Sequence, residues 1–161
     1  MPLRITAMTE TYADQIMQWS YEPPYDFYNS GPDEEFRKEL LECSYYAILD
    51  EEGQLFGFCC TGSSAQIPIG IPLGAYDGNL LDLGLGVIPE STGQGRGKEF
   101  LSFVLASIAE YHNRQSFRLT VAKFNERAIR LYTQLGFSEV ATFNYGGTTF
   151  ITMVKKSRFG S

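Results

Sequence analysis

The segment Val87-Ile88-Pro89-Glu90-Ser91-Thr92-Gly93-Gln94-Gly95-Arg96-Gly97-Lys98 is the most informative in the chain. Ahead of it, Leu80 to Val87 reads as a strand, in which Gly84 and Gly86 mark a bulge or a close backbone approach. Behind it, Lys98 to about Tyr111 reads as a helix with Leu101, Leu105 and Ile108 as its core stripe. Three glycines at alternate positions thus join a strand to a helix. Without Cβ atoms they let the backbone curl and bring amide hydrogens close to an anion. The helix start adds unsatisfied amides and positive partial charge, so the turn suits a pyrophosphate. Arg96 and Lys98 supply mobile positive charge nearby. A glycine loop with a purely structural purpose is the alternative.

Two other phosphate motifs fail. The pattern G-x-x-x-x-G-K-[ST] needs Gly where Thr92 stands and Ser or Thr where Glu99 stands. In G-x-G-x-x-G the third glycine falls on Lys98.

Working outward, Leu3–Ala7 alternates as a short strand, and Thr9 or Thr11 caps a helix carrying Ile16, Met17 and Trp19. Residues 22–28 hold two prolines and read as an aromatic loop. Pro32 and Asp33 start a second helix, Glu34 to Glu42. Strands Tyr45–Leu49 and Leu55–Thr61 form a hairpin, followed by a Gly/Pro/Ser-rich loop from Ser63 to Gly78. After the glycine turn and its helix come a strand (Phe117–Val121), a helix (Glu126–Leu135) stopped by Gly136, and two strands flanking Gly146-Gly147. This order describes an α/β or α+β sheet with helices on both faces.

At 161 residues, 43% hydrophobic and 20% charged, the chain is expected to be one folded domain, residues 1–161, with no membrane-spanning run. A single histidine, His112, and three cysteines without ligand spacing leave no basis for a metal site or a Ser-His-Asp triad. The same cysteine usage and the lack of a secretory h-region point to the cytoplasm. Net charge is −6, unevenly spread: Gly93 to Leu135 carries +4, and the segment up to Asp82 carries −11. The acidic total disfavours nucleic acid as a partner. The basic segment either faces water or meets an anion.

The segment Val87 to Lys98 resembles the coenzyme A pyrophosphate loop of the GNAT superfamily of N-acetyltransferases, whose pattern is [Q/R]-x-x-G-x-[G/A] after a strand ending Val-x-Pro. Val87, Pro89, Gly95 and Gly97 match, while Thr92 holds the place usually taken by Gln or Arg. Downstream, Val121 to Phe137 resembles the family's next motif: a strand, an Asn (Asn125), a helix with Ala and Leu131-Tyr132, then Leu135-Gly136-Phe137. The resemblance implies a mixed, mostly antiparallel sheet of about six or seven strands and an acetyl-CoA-dependent acetyltransferase without a metal.

It also implies roles for single residues. Val87 and Thr92 to Lys98 (Thr92, Gly93, Gln94, Gly95, Arg96, Gly97, Lys98) would hold the cofactor's backbone and pyrophosphate, and Asn125 its pantetheine arm. Asn125 is equally a plain N-cap. Tyr132 lies two turns along the same helix and would protonate the departing thiolate, its phenol of ordinary pKa about 10 being a suitable donor. A ring packed in the core is the alternative. Asp82, the one carboxylate on the strand before the loop, is a candidate base or a solvated residue. Cys59 and Cys60 read as buried and inert.

The acceptor would be a primary amine, on a small molecule or on a peptide or protein. Tyr25 and Tyr28, with Phe27, Glu22 and Asp26, form an aromatic and acidic region suited to such a cation, or simply cover the core. The alternative function is an acyl-CoA-binding sensor or partner module without turnover. A homodimer stays open.

Overall fold

A computed structural model describes residues 2–28, 33–91, 95–113 and 116–156. Among the described residues seven strands run in the order β1-β2-β3-β4-β5-β7-β6, and four α-helices accompany them. The chain divides into two compact units, Met1–Cys60 with Leu85–Phe103 and Thr61–Gly84 with Val104–Ser161.

In the first unit, β1 (Arg4–Ala7) leads to α1 (Glu10–Met17). Thr9 caps α1 by accepting from the Tyr12 amide at 3.2 Å, and Ala13 and Ile16, three residues apart, are buried. The aromatic segment contains a 3-10 turn, Tyr25–Tyr28. Asp33 caps α2 (Glu34–Glu42) by accepting from Glu35 and Phe36, and acidic Glu34 and Glu35 favour the positive end of that helix. The expected contribution of Pro32 to that start lies outside the described residues. Strands β2 (Tyr45–Leu49) and β3 (Leu55–Thr61) pair antiparallel across a turn in which Asp50 accepts from the Glu52 and Gln54 amides.

The first unit closes on the end of β4 (Leu81–Val87) and the start of α3 (Gly97–His112). A Cβ at Gly57 would stand 2.6 Å from both the Gly86 carbonyl oxygen and the Phe100 ring, and one at Gly86 would strike the Phe58 ring. Where the sequence suggested a bulge or a close backbone approach, what stands against Gly86 is a side chain, the Phe58 ring.

In the second unit the connection between β3 and β4 carries 3-10 turns at Gly62–Ala65 and Pro68–Gly70. Strand β4 pairs parallel with β5 (Phe117–Ala122). Helix α4 (Glu126–Gln134) is followed by β6 (Ser138–Tyr145) and β7 (Thr148–Lys155), the latter antiparallel to both β5 and β6. Leu83, Val104, Ile108, Leu119, Phe137, Ile151 and Met153 are buried. Among the described residues no helix is long and apolar enough to cross a membrane.

Candidate active site

In the first unit lie the strand end and part of the glycine turn. The amide of Ile88 donates to the Phe56 carbonyl at 2.8 Å, which turns that amide toward β3. In extended chain the N–H and C=O of one residue point to the same side and those of the next residue to the other. Val87 therefore directs both groups away from β3. Its carbonyl accepts from the Tyr21 hydroxyl at 2.7 Å. Sequence reasoning did not single out Tyr21; it lies 66 positions from Val87, and no local pattern joins them.

Gly95 has φ +75°, left-handed backbone that favours glycine, and open space where its Cβ would lie. Gly97 opens α3, whose first turn closes through the Phe100 amide donating to the Arg96 carbonyl at 3.0 Å. The amides ahead of Phe100 in that first turn have no partner within the helix itself. Thr92, Gly93 and Gln94 lie outside the described residues. Arg96 departs from the expected mobile cation: its guanidinium lies 4.3 Å from the centroid of the Phe56 ring and 3.9 Å from Glu99. Stacking and the ion pair hold it, whereas Lys98 is exposed at the start of α3.

Tyr25 and Tyr28 stand at the two ends of the 3-10 turn. Tyr28, 41% exposed, meets Phe27, 48% exposed, edge-on at 5.1 Å, while Tyr25 is half-buried. Trp19 packs against Phe58 at 5.9 Å, and Phe58 against Tyr45 at 5.9 Å. Burial, then the neighbouring Cys60 thiol, pushes the Cys59 thiol up to about 12, and both cysteines are buried. Cys59 is therefore a neutral thiol and a poor nucleophile.

In the second unit lie the helix with the tyrosine and the start of β4. Asn125 caps α4 by accepting from the Ala128 amide at 3.1 Å. The helix closes where Gly136, at φ +99°, lets the Phe137 amide donate to the Tyr132 carbonyl at 3.0 Å. The half-buried Tyr132 ring packs on Phe137 at 6.1 Å, so its backbone and one face of its ring are both located.

The solvated alternative for Asp82 is overturned. Asp82 is 3% exposed and lies opposite Arg118 in the β4–β5 register. Arg118 donates Nε to Oδ1 at 2.6 Å and Nη2 to Oδ2 at 2.9 Å, and Gln66 donates to Oδ2 at 2.8 Å. The rest of the guanidinium donates to the Asp77 and Tyr76 carbonyls. Burial is sustained because the pair is bidentate and its remaining hydrogen-bonding capacity is met. The Tyr76 hydroxyl extends the network, bonding Thr120 Oγ1 at 2.8 Å and accepting from the Ile67 amide at 2.9 Å.

The β4–β5 register covers Leu81 to Leu83 against Phe117 to Leu119, although β4 continues to Val87 and β5 to Ala122. Past Leu83 the edge of β4 that faces away from β3 is outside that ladder. An extended amide-bearing ligand fits such an edge, and an anion fits the open Gly95 turn and the helix start that follow it. Among the described residues no group of three His, Cys, Asp or Glu side chains is placed to hold a metal ion.

Comparison with known proteins shows the family. Residues 13–137 match the model of the Acetyltransferase (GNAT) family, and the chain belongs to that family. No curated protein matches the sequence. Among solved structures, a GNAT-family acetyltransferase from Bacillus anthracis shares 12% identity at a TM-score of 0.71, covering 96% of this chain and 94% of that one. Mutant forms of the spermidine/spermine N-acetyltransferase SpeG from Vibrio cholerae share 18% identity at 0.63, covering 95% and 93%. A protein provisionally assigned as a phosphinothricin N-acetyltransferase shares 14% at 0.69, covering 96% and 98%. At such identities the likeness is one of fold.

Proposed function

We propose that this chain, residues 1–161 acting as one catalytic domain, transfers an acetyl group directly from acetyl-CoA to a primary amine. The observation that carries the proposal is the end of the β4–β5 register at Leu83, followed by a β4 edge that runs into a glycine turn and a helix start. Bound there, the coenzyme supplies an activated thioester. The backbone of Val87 would bond the pantetheine arm, and the amides of residues 93 to 98, together with Thr92 and Lys98, would hold the diphosphate. Asn125 adds a side-chain contact to the arm while capping α4. Tyr132 donates a proton to the thiolate sulfur as the acyl bond breaks.

Asp82 enters as a positioning residue. Both its oxygens are engaged by buried donors, which supports that role better than the base the sequence suggested; water then removes the amine proton. Arg96 contributes positive charge from a fixed place. The acceptor is a cation before it reacts, and Tyr25 and Tyr28, beside Glu22 and Asp26, suit its recognition by ring faces and carboxylates. The solved neighbours, one a spermidine/spermine N-acetyltransferase and one provisionally assigned to phosphinothricin, support a small amine, with a peptide amine as the broader class. Three cysteines outside any disulfide accord with a reducing cytoplasm.

Calorimetry with coenzyme A, then thiol release from acetyl-CoA across a panel of amines and alcohols, tests the proposal. Binding with turnover of amines alone is expected. No association with coenzyme A overturns it. Binding without thiol release from any amine makes the chain an acyl-CoA-binding module instead.

A further inference from the structure

The peptide group linking Val87 to Ile88 is bonded at both ends. Its N–H donates to the Phe56 carbonyl at 2.8 Å, and its C=O accepts from the Tyr21 hydroxyl at 2.7 Å. Rotation of this peptide about the strand axis would break both bonds, so its tilt is set. The Tyr21 bond lies on the edge of β4 turned away from β3. A carbonyl oxygen accepts two hydrogen bonds. Tyr21 takes one and leaves the other available to an amide approaching along that edge.

Tyr21 is itself braced. It follows Trp19, whose amide donates to the Ile16 carbonyl at 3.1 Å and whose ring packs on Phe58. Phe58 in turn occupies the space above Gly86 that a Cβ would fill. The segment after α1 is thereby seated over the end of β4 by packing that only glycine at position 86 permits. Burial, and then the Glu90 carboxylate, holds the Tyr21 phenol above its ordinary range, so it remains a donor at any working pH.

From this geometry we infer that Tyr21 is a positioning residue for the coenzyme: its hydroxyl fixes the Val87 carbonyl in the orientation that accepts the pantetheine amide. The inference rests on the acetyl-CoA reading above. It places a specific residue of the N-terminal region, outside the glycine turn and outside α4, in the affinity for the arm and leaves the grip on the nucleotide end unchanged.

The test compares wild type with Tyr21→Phe, which keeps the ring and removes one oxygen. Titration calorimetry uses two probes, coenzyme A and adenosine 3′,5′-bisphosphate, which lacks the pantetheine arm. One neutral hydrogen bond corresponds to roughly a threefold to tenfold change in affinity. Tyr21→Phe is expected to weaken coenzyme A by that factor while the bisphosphate binds equally to both proteins, directly or as a competitor. The KM for acetyl-CoA should rise by the same factor, with kcat and the amine KM within about twofold. Equal or tighter coenzyme A binding by Tyr21→Phe overturns the inference. So does parallel weakening of both probes, which marks a general structural role. If wild type itself fails to bind coenzyme A, the functional proposal falls first.

Discussion

Tyr132 is the residue on which turnover is expected to depend most. Its carbonyl accepts the bond that closes α4, and its ring rests on Phe137, so replacement by Phe leaves packing and backbone intact. Tyr132→Phe should lower kcat by about tenfold to a thousandfold with little change in coenzyme affinity, measured by thiol release. Unchanged turnover would return the ring to a packing role. Cys59 makes the opposite case, a reactive atom rendered inert by its surroundings. Its thiol pKa is raised, so the neutral form is the one the fold favours, and that stabilisation is present below the ordinary thiol range and lost as pH rises through about 12. At pH 8 a thiol-specific reagent should label exposed Cys43 rapidly and Cys59 only on unfolding. Rapid labelling of Cys59 in the folded protein contradicts this.

At the scale of strands and helices, two predictions concern β4. Gly86→Ala drives a methyl group into the Phe58 ring, which Trp19 and Tyr45 hold in turn. Overpacking of this kind costs about 1–3 kcal/mol. The double variant Gly86→Ala/Phe58→Ala should lose less stability in urea than the two single changes added together. Simple additivity would mean that ring and glycine do not press on each other. Asp82→Ala leaves the Arg118 guanidinium, 3% exposed, without its carboxylate. Breaking such a pair from one side costs about 3–5 kcal/mol, read from the denaturation midpoint. A variant of wild-type stability but sharply reduced kcat would restore Asp82 as a base.

Across the whole molecule, charge is the property that should reach function. The chain carries −6 overall, while Gly93 to Leu135 carries +4 and contains most of the residues assigned to the coenzyme. A polyanionic coenzyme would be drawn to that segment, and salt would screen the attraction beyond about 10 Å at 0.1 M. Raising sodium chloride from about 50 to 500 mM should increase the KM for acetyl-CoA several-fold with a smaller effect on kcat. A KM indifferent to salt would leave only short-range contacts.

Features built from neighbouring residues were legible in the amino-acid order. The caps at Thr9, Asp33 and Asn125 bond amides two or three positions away, and Gly136 ends α4 through its own backbone freedom. The spacing of the two family motifs, and with it the GNAT fold, follows from the same local order. Contacts that depend on which strands lie side by side were not legible. Asp82 meets Arg118 across 36 positions because a parallel register places them opposite, and Tyr21 reaches Val87 across 66 because Phe58 and Gly86 seat the segment between them. Capping energy is settled within one turn of chain, whereas register is settled by the packing of many side chains at once. The sequence by itself thus determined the order of the main strands and helices, several of their caps, and the family. Only tertiary structure decided that Asp82 is bound by a buried cation and that Tyr21 holds the end of β4.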